Sequence, residues 1–174
     1  MHFGSSSSRL VHERDQNLLY VQVFAEAETV NSGLFSKSKV AKAAPKLTNI
    51  AIYDIAKDTT TYLLPTDAQR QIYTFMFEQS FDTEKEQLIF HNEGNVINNE
   101  KLEASRLPKD KLLVIIRKEE KRQLEFWTSN KKGEQLQCVH TMPWNWLWRL
   151  DVLNNKFIFI KPLDNGVKIE ALDW

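Results

Sequence analysis

From Trp144 to Val152 every second residue is heavy and apolar: Trp144, Trp146, Trp148, Leu150 and Val152, with Asn145, Arg149 and Asp151 on the alternate positions. Period two places alternate side chains on one face of a strand, so the pattern predicts a β-strand over 143–152 with a single ridge of five apolar groups. Similar signals recur along the chain. Asn17–Phe24 is rich in β-formers, and Asn49–Ile55 and Thr60–Leu64 flank a turn at Lys57-Asp58, with Pro65 closing the pair. Gln71–Gln79 carries Tyr73, Phe75 and Phe77 on one predicted face and Ile72, Thr74 and Met76 on the other, the mark of a strand buried from two sides.

The second half is denser in strands. Lys111–Arg117 holds the run Leu112-Leu113-Val114-Ile115-Ile116 and turns at Glu119–Lys121; Gln123–Thr128, a turn at Asn130–Gly133, and Leu136–Met142 follow. After the Trp ridge come Lys156–Ile160 and Val167–Trp174, joined through Asp164-Asn165-Gly166, where Asn-Gly suits a type I′ hairpin turn. Short strands joined by short polar turns predict an all-β antiparallel meander of about ten strands, propeller-blade-like or sandwich-like, stacked as two or three small sheets. Two stretches interrupt it: a long loop near 25–47, and an insertion near 91–110 with a short strand at Val96-Ile97. Residues 1–16, polar and without period, read as a flexible leader or linker ahead of one β-repeat domain over 17–174.

A constant offset lays Phe75, Phe77, Phe81 and Asp82 on Trp144, Trp146, Leu150 and Asp151, and Leu88-Ile89-Phe90 on Phe157-Ile158-Phe159. A second echo pairs Ile50–Tyr53 with Leu124–Trp127, each followed by a Lys-containing turn and another strand. Phe77–Asp82 followed by Leu88-Ile89-Phe90 resembles the inner-strand hairpin of bacterial β-propeller repeats of the tryptophan-Ser-Pro-Asp-Gly type. Asn49–Ile55 and Gln123–Trp127 resemble the third strand of such blades. Pro and Gly are missing from the Asp turn, and residues 91–110 split the middle unit. The resemblance implies tandem blades, of which the chain supplies about two and a half to three at roughly 40 residues each, fewer than the four or more a closed propeller requires. Closure then calls for an open arrangement or a second chain. Together with the Ser-rich stretch Ser5–Ser8, the resemblance favours an extracytoplasmic, membrane-anchored setting.

Composition narrows the function. The 174 residues suffice for a sizeable core, and 23 basic side chains balance 23 acidic ones, so there is no global basic footprint for nucleic acid. No run is apolar enough to predict a membrane-inserted segment. One cysteine, Cys138, forbids an internal disulfide. The basic stretch Lys37, Lys39, Lys42 and Lys46 reads as a solvated loop, as does the mixed-charge run Arg117–Arg122. Phosphate loops, nucleophile elbows and zincin motifs are absent, so no catalytic, cofactor or metal residues are assigned.

Three constellations merit weighing. Cys138 and His140 sit two apart, on one face of a regular strand, but a zinc site wants three or four ligands, and His2, His12 and His91 are isolated. Asp82 and Asp151 are equivalent turn acids, better suited to accepting backbone N–H bonds than to acid–base work; a hydrolase would also recruit Glu170. Trp144 and Trp146 align with core Phe residues, whereas Trp148 aligns with polar Gln79 and is the ridge Trp expected to be exposed. Trp148, with Trp127, Trp174 and Arg149, is therefore the candidate contact set for a ligand or partner. The pattern predicts a non-catalytic binding or assembly module acting through protein–protein contact or self-association. Carbohydrate or small-ligand binding through exposed tryptophans is the alternative, and a hydrolase with an acidic site the second alternative.

Overall fold

The computed structural model describes residues 9–25, 45–66, 70–80, 89–98 and 106–174. The strands are β1 (Leu10–Glu13), β2 (Leu18–Phe24), β3 (Leu47–Asp54), β4 (Thr59–Tyr62), β5 (Gln71–Gln79), β6 (Ile89–Phe90) and β7 (Val96–Ile97) in the first part of the chain. There follow β8 (Leu112–Lys118), β9 (Gln123–Ser129), β10 (Gln137–Pro143), β11 (Leu147–Asp151), β12 (Lys156–Leu163) and β13 (Gly166–Asp173). They form an N-terminal sheet ordered β1-β2-β3-β4, a central sheet ordered β10-β9-β8-β5-β6, and a C-terminal sheet ordered β13-β12-β11-β7. The all-β, three-sheet meander is as expected, with one departure from antiparallel pairing: β7 runs parallel to β11. The insertion thus crosses from the central sheet to the C-terminal one.

The central sheet is the shared wall of two cores. Along β8, Leu112, Val114 and Ile116 face Leu18, Tyr20, Ile50, Ile52, Leu63 and Leu64 of the N-terminal sheet and its exit. Leu113 and Ile115 face Trp148, Leu150, Val152, Phe157 and Phe159 of the C-terminal sheet. A continuous aliphatic run is what a strand covered on both sides requires, and all five side chains are fully buried. β5 is covered from both sides as well, with an altered phase. A bulge between Ile72 and Thr74 leaves Tyr73 as an extra, exposed residue, so Ile72 joins Phe75 and Phe77 instead of Thr74 and Met76.

The expected leader is shorter than 1–16, because Leu10–Glu13 pairs with Leu18–Val21 as β1. The expected type I′ turn also shifts. Leu163 pairs with Gly166, so the two loop residues are Asp164 and Asn165, and Gly166 opens β13 with φ of 153°. Most of the 25–47 loop, with Lys37, Lys39 and Lys42, lies outside the described residues, as do Asp82, Phe81 and Leu88 of the repeat. Of that loop, Lys46 approaches Glu119 at 3.4 Å.

The ridge is not one strand. Pro143 ends β10, and Trp144–Trp146 form a turn in which the Trp146 N–H donates to the Pro143 carbonyl at 3.2 Å. Trp144 leaves the core: its Nε1 donates to the Gln123 carbonyl at 2.9 Å and the Arg117 guanidinium lies 4.1 Å from its ring centre. Only Trp148, Leu150 and Val152 share the predicted buried face, with Trp146 packed at its margin.

The turn after β9 presses on the N-terminal sheet. At Gly133, φ is +81°, and an added β-carbon would lie 2.9 Å from the Ile52 Cδ1. Gly133→Ala is expected to cost about 1–2 kcal/mol from the left-handed backbone alone, read as a lower urea midpoint at unchanged slope.

Candidate functional site

The four aromatic and basic residues predicted as contacts form no common exposed surface: Trp148 and Trp174 belong to one buried core and Trp127 packs against the other. Trp148 is buried, with its ring edge-on to Phe126 at 5.3 Å. The expectation of an exposed Trp148 fails because its strand turns this position, together with Leu150, against the central sheet. Trp174 is buried too: its indole N–H donates to Glu78 at 2.8 Å, and Phe157 packs against the ring at 5.1 Å. Trp127 is half-buried against the core shared with the N-terminal sheet, its Nε1 bonded to Glu125 at 3.0 Å and the Arg70 guanidinium 5.3 Å from its ring centre. Trp148 and Trp174 are thus enclosed by protein, while Trp127 is covered only in part. Arg149 follows Trp148 on the opposite face of the strand, donating to Asn95 at 2.9 Å and to the Trp148 carbonyl at 2.7 Å.

The other constellations resolve in structural terms. In β10 a bulge between Cys138 and His140 breaks the alternation, pairing Cys138 with Trp127 and His140 with Phe126. Neighbours on β9 point to opposite faces, so the predicted Cys–His face does not form. Cys138 is exposed, while His140 stacks on Phe159 at 3.9 Å, and burial lowers its pKa. His91 likewise lies against Phe75 and Phe77, its pKa lowered by burial. Asp151 closes its turn by accepting from the Asn154 N–H at 3.1 Å and the Asn154 side chain at 2.9 Å. Burial pushes that carboxyl up, and hydrogen bonds from Asn154, Asn98 and Leu153 outweigh it, holding it below its usual range. Glu170, aligned with Phe159, and Asp151, aligned with Lys156, belong to opposite faces of the sheet and form no acid pair.

Two buried charge clusters escaped the sequence reading. Lys131, in the turn after β9, donates from Nζ to Glu13 at 2.6 Å and to Asp15 at 3.3 Å, with Lys131 and Glu13 both fully buried. The Tyr20 hydroxyl donates to the Lys131 carbonyl at 2.8 Å, and Asp110 accepts from the Lys131 N–H at 2.9 Å. Burial raises the Tyr20 pKa, and the charges of Glu13 and Asp110 add to the rise. The second cluster centres on Glu78 of β5, which accepts two bonds from Arg106 at 2.9 Å each, one from the Lys109 N–H at 2.9 Å and one from Trp174. In both clusters every carboxylate oxygen of Glu13 and Glu78 is engaged. They tie distant segments together and offer no open acid or base.

Among the described residues, what is left open is the outer face of the C-terminal sheet. Phe157 and Phe159 point inward, so by alternation Leu147, Ile158, Ile160, Pro162, Val167, Ile169 and Ala171 point outward. The register lines up Leu147, Ile160 and Ile169 as one row across three strands, with Leu147 58% and Ile169 62% exposed. Pro162 and Val167 form a second row and Ile158 and Ala171 a third, bordered by Arg149 and the Lys156–Asp173 ion pair. The outer face of the N-terminal sheet carries a thinner equivalent, the row Leu10, Val21, Ala51 and Tyr62. The alternation of apolar residues in β12 and β13 is the sequence signal for this face. Compared with known protein families, curated proteins and solved structures, the chain shows no match.

Proposed function

We propose that this protein is a non-catalytic assembly module that associates through protein–protein contact, covering the outer faces of its terminal sheets with further copies of itself. The reading is carried by one observation, the exposed aliphatic rows of the C-terminal sheet centred on Leu147, Ile160 and Ile169. Contiguous exposed apolar surface marks an interaction site more often than scattered single residues do. The stacking order supports the same reading. Within the molecule each sheet buries apolar residues against its neighbour, and the end sheets repeat that chemistry on faces that no other described sheet covers.

Light scattering across a concentration series tests it. The expected result is a mass that rises above that of one chain as concentration increases, and falls back in Leu147→Lys, which places a charge in the row without touching a core. A wild-type protein that keeps the mass of one chain throughout overturns self-association. An associating Leu147→Lys protein overturns the role of this face.

A further inference from the structure

The free edge next to that face has its own specificity. β13 spans Gly166–Asp173 without a register break, and β12 covers only one of its edges. Among the described residues the other strands at sheet edges are blunted: β1 and β4 have four residues each, β6 and β7 two, and β10 is bulged between Cys138 and His140. Short or bulged edges resist pairing with another chain, whereas a long regular edge invites it.

Hydrogen-bond phase decides which groups of β13 are free. Pro162 has no N–H, so the Pro162–Val167 pair cannot exchange both bonds, and the doubly bonded pairs are Lys161–Lys168, Phe159–Glu170 and Phe157–Leu172. The Trp174 N–H, in the same phase, reaches the Asn155 carbonyl at 2.9 Å. The N–H and C=O groups of Val167, Ile169 and Ala171 therefore point to the open edge, while their side chains belong to the apolar outer face.

We infer that this edge pairs antiparallel with the same strand of a second copy, with Ile169 opposite Ile169 of the partner subunit. Directly opposed residues share a face, and the free groups sit on odd-numbered positions, so a two-fold register must be centred on a residue and not between residues. Centring on Lys168 opposes two lysines, and centring on Glu170 opposes two glutamates. Centring on Ile169 sets Lys168 against Glu170 of the partner subunit, twice by symmetry, in the closely spaced non-hydrogen-bonded pairs where side chains interact best. Within one chain these residues already form an ion pair at 2.9 Å, so both are extended on the same face and ready to exchange partners. A lone lysine on an edge deters pairing; a Lys-x-Glu edge is its own complement. The same register continues the row Leu147, Ile160 and Ile169 across the junction.

This inference rests on the self-association proposed above, and the variants separate the two. Sedimentation or light scattering of the full chain should show a dimer that is lost in Ala171→Pro. There the removed N–H faces solvent in the monomer, so the melting curve and far-UV spectrum should stay close to wild type. Lys168→Glu and Glu170→Lys should each weaken the homodimer about tenfold, replacing attraction by repulsion at both crossed pairs. Mixing those two variants should restore dimerisation as a heterodimer. Association that persists unchanged in Ala171→Pro and in both charge variants, yet is lost in Leu147→Lys, overturns edge pairing and leaves face-mediated assembly standing. A wild-type chain that stays monomeric removes both.

Discussion

Lys131→Met is expected to lower the unfolding free energy by about 3–5 kcal/mol, measured by urea denaturation at neutral pH. The methionine fills much of the lysine's volume, so the loss is electrostatic. It strands Glu13, fully buried and 2.6 Å from the missing ammonium, with only the N–H groups of Asp15 and Gln16 as partners. Asp15 is partly exposed and can turn to water; Glu13 cannot. Adding Glu13→Gln to Lys131→Met should recover part of the loss, because a neutral amide keeps an oxygen for the Gln16 N–H and carries no charge. A double variant as unstable as the sum of the two single changes would show that the pair is not coupled.

Glu78→Gln is expected to cost about 3–5 kcal/mol, by the same measurement. All four bonds to this carboxylate come from donors, and an amide nitrogen turns one face of the site into donor against donor. Burial raises the Glu78 pKa, but the bonds from Arg106, Trp174 and the Lys109 N–H outweigh it and hold the group below its ordinary value of 4.5. A carboxyl with a lowered folded-state pKa stabilises fully above its unfolded value, and that contribution fades as pH falls through the folded one. The wild-type protein should therefore lose stability steeply below about pH 4.5, and Glu78→Gln should flatten that slope. An unchanged acid limb in the variant would assign the acid sensitivity elsewhere.

Much of the fold was legible because burial dictates period. The aliphatic run of β8 demands cover on both sides, and that places the central sheet before any contact is known. The errors have local causes, either a short interruption of a strand or a charge buried by a distant partner. The bulges at Tyr73 and Val139 each shift a face by one position, moving Ile72 into one core and separating Cys138 from His140. The turn at Trp144–Trp146 keeps the apolar alternation while abandoning the strand, since both rings find other partners. β1 was hidden by Glu13, whose charge reads as solvent-facing until Lys131 is found beside it across a long stretch of sequence. The same reasoning explains why Trp148 is buried and not exposed. Alternation says that Trp148 and Ile169 each belong to one face, but not which face meets another sheet.

The central sheet has a further consequence as a wall common to both cores. Leu113 and Ile115 on one side and Leu112, Val114 and Ile116 on the other belong to one strand, so neither core has a complete lining of its own. Peeling away either outer sheet bares a full aliphatic face of the middle one and weakens the strand that the remaining core is built on. The three sheets are therefore expected to unfold as one cooperative unit, with coincident urea transitions whichever core is probed.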